Sequence, residues 1–518
     1  MKAKTTCSQK KAGAAAYMAR AAFAVAFATL GASADCTLIP MPREVAPRTG
    51  AYSSAEGAET VDVKRLADAA IPAEGYRMVV AEDGITVWSS DDAGAFYARQ
   101  TLRQLAQKGT KGWIYPCVEI RDAPAFRWRG VLLDEGRHFF GKETVRKLLD
   151  LMAMCKFNVF HWHLTEDQGW RLDVPKYPKL AQMASMRLRS PAHGARLLRG
   201  KDADGARTYT SSEMNTQKYG PFFYTADDIK EILAYAEARH IRVVPEIELP
   251  GHALAAIAAY PELGCTGEQF EPWWRWGVSE HIFCGGNDKV IKFLEDVLDE
   301  VCELFPGPIV HIGGDEAPKK MWKTCPKCQA RIKALGLNGE EGLQGWMTDH
   351  FTKYLASKGK RAVGWDEVLD GDPGRDTIIM SWRGPQGGIN AAARGNDAVM
   401  CPVDPCYIDN PQGLKDDPYE YINYGFQATL ERCYGFNPTA GIPEDQAKHI
   451  LGGQGNNWTE YTWNGSEYEW KMWPRMCAIA ECLWTRPENK SWDCFKARIP
   501  AMRRTLIREL HMNCAPIE

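Results

Sequence analysis

Eight short apolar runs, most of them closed by polar or aromatic residues, constrain this chain more than any other feature. They are Gly130–Asp134, Asn158–Leu164, Ile241–Ile247, Pro308–Ile312, Arg361–Trp365, Thr377–Trp382, Ala398–Cys401 and Ile450–Gln454. Runs of this length, bounded by turn residues, read as buried strands. Helical periodicity fills several of the gaps, at Thr144–Met154, Ala226–Arg239 and Asp288–Leu304. Strand and helix in repeated alternation predict an α/β architecture with a parallel sheet, and eight such strands predict a (β/α)8 TIM barrel. A doubly wound sheet is the structural alternative, yet no Gly-x-Gly-x-x-Gly or P-loop supports a nucleotide site. Residues 123–518 are assigned to the barrel, with a C-terminal helix.

Ahead of the barrel, residues 35–122 carry a different pattern. Tyr76–Val80 and Gly84–Trp88 are β-rich runs split by a turn, a hairpin signal. Ala93–Lys108 places Phe96, Leu102 and Leu105 along one side of a helix. Together they predict a small α+β domain ending at Arg121-Asp-Ala-Pro-Ala. Residues 1–34 hold Lys2, Lys4, Lys10, Lys11 and Arg20, no acid, and an apolar stretch that closes on Ala32-Ser33-Ala34. That order reads as a signal peptide, with Asp35 the first mature residue and export to periplasm or medium as the destination. The stretch is short for a membrane span, and no later segment reaches that length. Asp35 also sits where a lipid-attachment signal at Cys36 would want a small residue. Removing the five positive charges of the leader takes the formal net charge from −3 to −8, which gives no support for binding nucleic acid or an anionic membrane.

Chemistry-bearing residues gather just past nearly every strand candidate. Arg137 follows the first, Glu166 and Asp167 the second, and His252 the third. Asp315 and Glu316 follow the fourth, after Gly313 and Gly314 have let the backbone turn. Trp365 and Trp382 end the fifth and sixth, Tyr407 and Asp409 follow the seventh, and Trp458 and Glu460 the eighth. A parallel barrel collects these loops into one pocket at its C-terminal face. Adjacent carboxylates repel, so one of Asp315 and Glu316 holds its proton to higher pH. A neutral acid beside an anion is what cleavage of an acetal bond requires. Indole faces suit the C–H patches of a pyranose, and Arg and carboxylates suit its hydroxyls.

The motifs Arg129-Gly-Val-Leu-Leu-Asp-Glu-Gly-Arg137, His161-Trp-His-Leu-Thr-Glu-Asp-Gln-Gly-Trp170, Pro245-Glu-Ile-Glu-Leu-Pro-Gly-His252 and His311-Ile-Gly-Gly-Asp-Glu316 stand in this order. Gly364-Trp-Asp-Glu367, Tyr407-Ile-Asp409 and Trp458-Thr-Glu460 complete the set. With them the chain resembles glycoside hydrolase family 20, the exo-acting β-N-acetylhexosaminidases, over nearly all of its mature length. The resemblance implies a substrate-assisted, retaining mechanism, in which the 2-acetamido oxygen attacks the anomeric carbon and gives an oxazolinium ion. It implies Glu316 as general acid and then base, Asp315 as the group that orients the acetamide, and Tyr407 as its hydrogen-bond partner. It implies Trp365, Trp382 and Trp458 as walls of the sugar subsite, Arg137 and Glu460 as the grip on outer hydroxyls, and Asp409 in the same lining. A His–carboxylate relay behind the acid would fall on His252 and Glu166, where many members carry Asp, and the extra methylene alters its reach. No metal or organic cofactor is implied, since the substrate supplies the nucleophile. The expected partner is a glycan with terminal β-GlcNAc or β-GalNAc. A disaccharide-releasing or sulfated-sugar specificity, or an inactive glycan-binding barrel, is the alternative.

Plainer readings stand beside these. Arg137 can pair with Asp134, His252 can start a helix, and Trp365 and Trp382 can fill the barrel core. His161 and His163 lie within a strand and read as structural rather than as metal ligands. Sixteen cysteines are present. Cys265 and Cys284 bracket a loop with Trp273, Trp274 and Trp276 and could staple it, and Cys401 and Cys406 flank another loop. Cys325-Pro-Lys-Cys328 reads as a redox motif, half a metal site or a local disulfide; no second CxxC or His-x-His partner lies at zinc-finger spacing, which argues against zinc.

Overall fold

The computed structural model describes residues 37–188, 190, 217–415, 417–419 and 426–517. The expected leader, with Asp35 and Cys36, lies outside them.

Six strands, β1 (Glu44–Ser54), β2 (Lys64–Ala67), β3 (Tyr76–Ala81), β4 (Gly84–Ser89), β5 (Gln107–Gly109) and β6 (Gly112–Asp122), form one sheet in the order β1-β6-β3-β4-β2, with β5 on β6. The expected hairpin is the antiparallel pair β3–β4, in register from Tyr76 opposite Ser89 to Ala81 opposite Gly84. Tyr76, Met78 and Val80 point inward, as the period of two demands. They meet α1 (Asp92–Leu105), whose first turn is capped by the Asp91 carboxylate accepting from the Gly94 N–H.

The remaining strands close into a parallel barrel: β7 (Trp128–Asp134), β8 (Val159–His163), β9 (Arg242–Glu246), β10 (Ile309–His311), β11 (Arg361–Trp365), β12 (Ile378–Ser381), β13 (Ala398–Met400) and β14 (Ile450–Asn457), with β14 pairing back onto β7. Each falls within or upon a run read from the sequence. β10 stops earlier than expected, because Gly313 and Gly314 take φ of 63° and 105° and leave the ladder. β14 runs three residues further, to Asn457, held by its register with β7. Helices α2 (Lys142–Met154), α3 (Ala226–Glu237) and α4 (Asp288–Leu304) lie where the periodicity placed them. A capping box between Thr225 and Asp228 starts α3, and α4 buries Val290, Phe293, Leu294, Val297 and Val301.

The sheet is fastened to the barrel by buried ions. Lys156 lies 2.8 Å from Asp122, and the Trp484 indole donates to the same carboxylate at 2.9 Å. Arg129 pairs with Glu74 at 2.9 Å. The C-terminal helix, Trp492–Leu510, is anchored through Arg498 on Glu481 at 2.6 Å. Among the described residues no helix is long and apolar enough to cross a membrane. No disulfide joins the described cysteines, so neither Cys265 and Cys284 nor Cys401 and Cys406 are bridged.

Candidate active site

The floor of the barrel is ionic. Glu246, at the end of β9, meets His163 Nδ1 at 2.5 Å and receives the Trp365 indole N–H at 2.8 Å, with His311 Nδ1 2.8 Å and His161 Nε2 3.1 Å away. Burial opposes its charge, but His311, His163 and His161 outweigh that and hold the carboxyl well below the usual carboxylate range. Burial likewise opposes charge on His163, which Glu246 and Glu166 nevertheless raise to about 10, whereas burial wins at His161 and pushes it down to about 4. These histidines are fully buried around one carboxylate.

Above this floor lies a cavity of about 350 Å³ lined by Arg137, Asp315, Glu316, Trp382, Val403, Tyr407, Asp409, Asn410, Phe426, Trp458 and Glu460. The loops after β7, β10, β12, β13 and β14 thus converge as the strand-end pattern required. Trp365 is 1% exposed and stands one layer down, its ring 5.8 Å from that of Trp458. It does not line the cavity, so the plainer reading of a core filler holds in place of the expected wall position.

Asp315 and Glu316 leave β10 through the two glycines, and Glu316 itself takes a φ of 44°. A non-glycine residue in that region costs of order 1–3 kcal/mol and marks a position fixed by its surroundings. The Glu316 side chain is 45% exposed and opens to the cavity, while that of Asp315 is 12% exposed. Burial, and then the neighbouring Asp315 charge, raise the Glu316 pKa above its ordinary value. Glu316 therefore holds its proton to higher pH than an ordinary glutamic acid. One buried Asp315 oxygen, Oδ1, has no hydrogen-bond partner within the protein. Such an atom faces a cost unless a ligand satisfies it.

Behind the pair stands His252. Its Nε2 is 3.4 Å from Asp315 and 3.8 Å from Glu316, and its Nδ1 meets Glu166 Oε1 at 2.7 Å. The extra methylene of Glu166 is accommodated. Its other oxygen reaches Arg137 at 3.0 Å and His163 Nε2 at 3.2 Å, so one carboxylate joins three basic groups. Burial disfavours the charged form of Glu166, yet Arg137 and His252 drive its pKa below the ordinary value. Against the same burial, Glu166 and Asp315 raise His252 well above the usual imidazole range. Removing one partner of a buried ionic cluster costs roughly 3–5 kcal/mol, because the others are left uncompensated. Glu166→Ala is therefore expected to lose about that much stability, read as a fall in the denaturant midpoint at unchanged slope.

Arg137 makes the plainer of its two expected contacts, the pairing with Asp134. It lies 3.4 Å from Asp134 and 5.1 Å over the Trp458 ring, and it still lines the cavity. Glu460 sits in its field, and burial with the Glu460 charge pushes Asp409 up to about 7. Trp382 and Tyr407 stack at 6.1 Å and 20°. The Trp382 indole donates to Glu367 at 2.8 Å, and burial and Asp315 push that carboxyl up to about 8. Sequence reasoning assigned no role to Glu367, Glu246 or Glu248, nor to Val403, Asn410 and Phe426. Glu246 and Glu248, like His161 and His163, are two residues apart; a shared strand face was the available signal.

The family model described as Glycosyl hydrolase family 20, catalytic domain, matches residues 126–487, and that of the family's domain 2 matches residues 51–123. The chain is 41% identical over 443 residues to a β-hexosaminidase of Porphyromonas gingivalis, covering 83% of this chain and 54% of that protein. It is 33% identical over 496 residues to a β-hexosaminidase of Akkermansia muciniphila, covering 93% and 92%. It thus spans about half of the first relative and nearly all of the second. Among solved structures, a β-N-acetylhexosaminidase of Bacteroides fragilis superposes with a TM-score of 0.77 at 29% identity, over 93% of this chain and 97% of that one. An exo-β-N-acetylglucosaminidase of Vibrio harveyi in complex with N-acetylglucosamine superposes with a TM-score of 0.80 at 28% identity, over 93% and 79%.

Proposed function

The chain belongs to glycosyl hydrolase family 20, and from that membership and the chemistry of the cavity we propose that it removes terminal, non-reducing β-linked GlcNAc or GalNAc from glycans. The observation that carries the reading is the adjacency of Glu316 and Asp315 at the mouth of β10, one opening to the cavity and the other held against His252. In the proposed reaction the acetamide oxygen of the bound sugar attacks the anomeric carbon as the glycosidic C–O bond breaks. Glu316 gives its proton to the departing oxygen. Asp315 orients the acetamide and stabilises the positive charge that develops on its nitrogen, and Tyr407 donates to the acetamide oxygen. Water then opens the oxazolinium ion at the anomeric carbon, yielding its proton to Glu316, and the β configuration is retained.

The cavity lies near the small end of ligand sites, which range over roughly 300–1,000 Å³, and this favours one terminal sugar over an internal stretch of chain. Arg137, Asp409 and Glu460 line it together and offer charge-assisted partners for outer hydroxyls. Trp382, Tyr407 and Trp458 supply the apolar surface. Export through residues 1–34 is part of the same proposal and rests on the order of basic, apolar and small residues there.

The test compares chromogenic β-GlcNAc, β-GalNAc and β-glucoside substrates and sizes the products from a mixed glycan panel. Release of single N-acetylhexosamines, with the glucoside left intact, is the expected result. Equal hydrolysis of the glucoside would remove the acetamide from the mechanism, and disaccharide products would favour an open-ended site.

A further inference from the structure

Cys325 and Cys328 find their partners in neither a second CxxC nor each other. The loop ahead of α4 brings Cys265 and Cys284 to them, and the four sulfurs all lie within 4.8 Å of one another. Cys284 is 3.6 Å from Cys328 and 3.7 Å from Cys325, and Cys265 is 3.9 Å from Cys328. A disulfide would bring two of them to about 2.05 Å. A tetrahedral centre with zinc–sulfur bonds near 2.3 Å separates its ligands by about 3.8 Å. Among the described residues, no other group of three or more potential ligands contains a cysteine.

The surroundings fit an anionic cluster. Cys325 caps the helix Pro326–Leu335 and Cys328 lies in its first turn, where the helix dipole favours negative charge. The Gly286 N–H is directed at the sulfurs of Cys284 and Cys328. That approach needs glycine, since a Cβ there would lie 2.1 Å from the Lys327 carbonyl carbon and 2.2 Å from the Cys328 nitrogen. Arg331 donates to the Gly285 carbonyl at 2.9 Å and brings a positive charge alongside. Cys284 and Cys328 are fully buried, Cys325 nearly so, and Cys265 partly.

We propose that Cys265, Cys284, Cys325 and Cys328 hold one thiophilic divalent cation, zinc by its tetrahedral preference, as a structural four-thiolate site. Binding releases the thiol protons to solvent, and four protein ligands leave no open position for substrate. Its effect is on the rim of the cavity. Cys265 and Cys284 are the two ends of the loop whose Trp273 N–H donates to the Asp167 carbonyl at 2.9 Å and whose Trp276 ring lies 5.4 Å from His138, beside Arg137. Cys325 ends the segment that leads away from Asp315 and Glu316. One ion would tie the loops after β9 and β10 together.

The site does not depend on the proposed activity, and its test does not read activity. Elemental analysis of the full chain, purified without metal-affinity steps, is expected to give about one zinc ion per chain. Alkylation in denaturant with chelator and no reductant should modify all four cysteines. Replacing the metal with cobalt(II) should give the intense visible absorption of a tetrahedral thiolate centre. The half-exposed ligand is the mildest to change, so Cys265→Ser should weaken metal retention and alter that spectrum, while Cys302→Ser, on α4 outside the cluster, should change neither. Absence of stoichiometric metal, disulfides among the four, or a cobalt spectrum indifferent to Cys265→Ser would each overturn the site.

Discussion

Glu316→Gln is expected to lower turnover of a chromogenic β-N-acetylglucosaminide by roughly 10²–10⁴-fold, the range that a positioned proton donor contributes. The amide keeps the shape of the side chain and its place on the cavity wall, but it has no proton to give. Substrate binding should change little, so the loss should fall on kcat rather than on KM. The pH profile supplies a second readout. Burial and the Asp315 charge raise the Glu316 pKa, so the donor stays protonated to higher pH than an ordinary glutamic acid. Wild-type activity should decline on the alkaline side as pH rises through that value, and the variant should lack this limb. Circular dichroism and thermal midpoint close to wild type are expected, because the side chain is 45% exposed. Activity within a factor of a few of wild type would remove Glu316 from its role.

Asp315→Asn should cost roughly 10²–10³-fold in kcat, the scale found when one preorganised electrostatic partner of a transition state is lost. In the proposed reaction the group matters only as positive charge grows on the acetamide, so the penalty should belong to the transition state rather than to binding. His252 makes the substitution more than local. Its Nε2 faces Asp315 at 3.4 Å, and that carboxylate, with Glu166 and Asp167, raises the imidazole. With Asp315 neutral, His252 should titrate at lower pH, which NMR of the imidazole would detect. An unchanged kcat together with an unchanged imidazole titration would show that Asp315 carries no such charge in catalysis.

The architecture was legible because barrel strands of this kind are short, apolar and ended by turn residues, so the eight runs stood out without any knowledge of their pairing. The cavity was legible for a related reason. A parallel barrel sends every strand's carboxyl end to one face, and Arg137, Asp315, Glu316, Trp382, Tyr407, Asp409, Trp458 and Glu460 all lie just past such ends. What escaped was depth. Trp365 stands only at the last residue of β11, yet that single step takes it from the cavity into the layer beneath. The Glu246 cluster escaped because buried charge inside a strand looks like an interruption of the core until the pairing of β9 with β8 and with β10 brings the histidines to it. The four cysteines escaped because their convergence depends on loop closure over long separations, where spacing carries no signal.

The ring of imidazoles about Glu246 also sets the acidity range in which this barrel can keep its centre. Free histidine titrates near 6.5 and free glutamate near 4.3. His163, raised to about 10, contributes in full below the first of these values and loses its contribution as alkali carries the pH up from there through about 10. Glu246 behaves in the opposite sense, contributing above the ordinary glutamate range and failing as acid protonates it. His161, kept neutral down to about 4, adds a penalty as the medium acidifies below the free imidazole value. The interior is thus most secure near neutrality, where acid has not yet begun to charge His161 and alkali has not yet begun to strip His163.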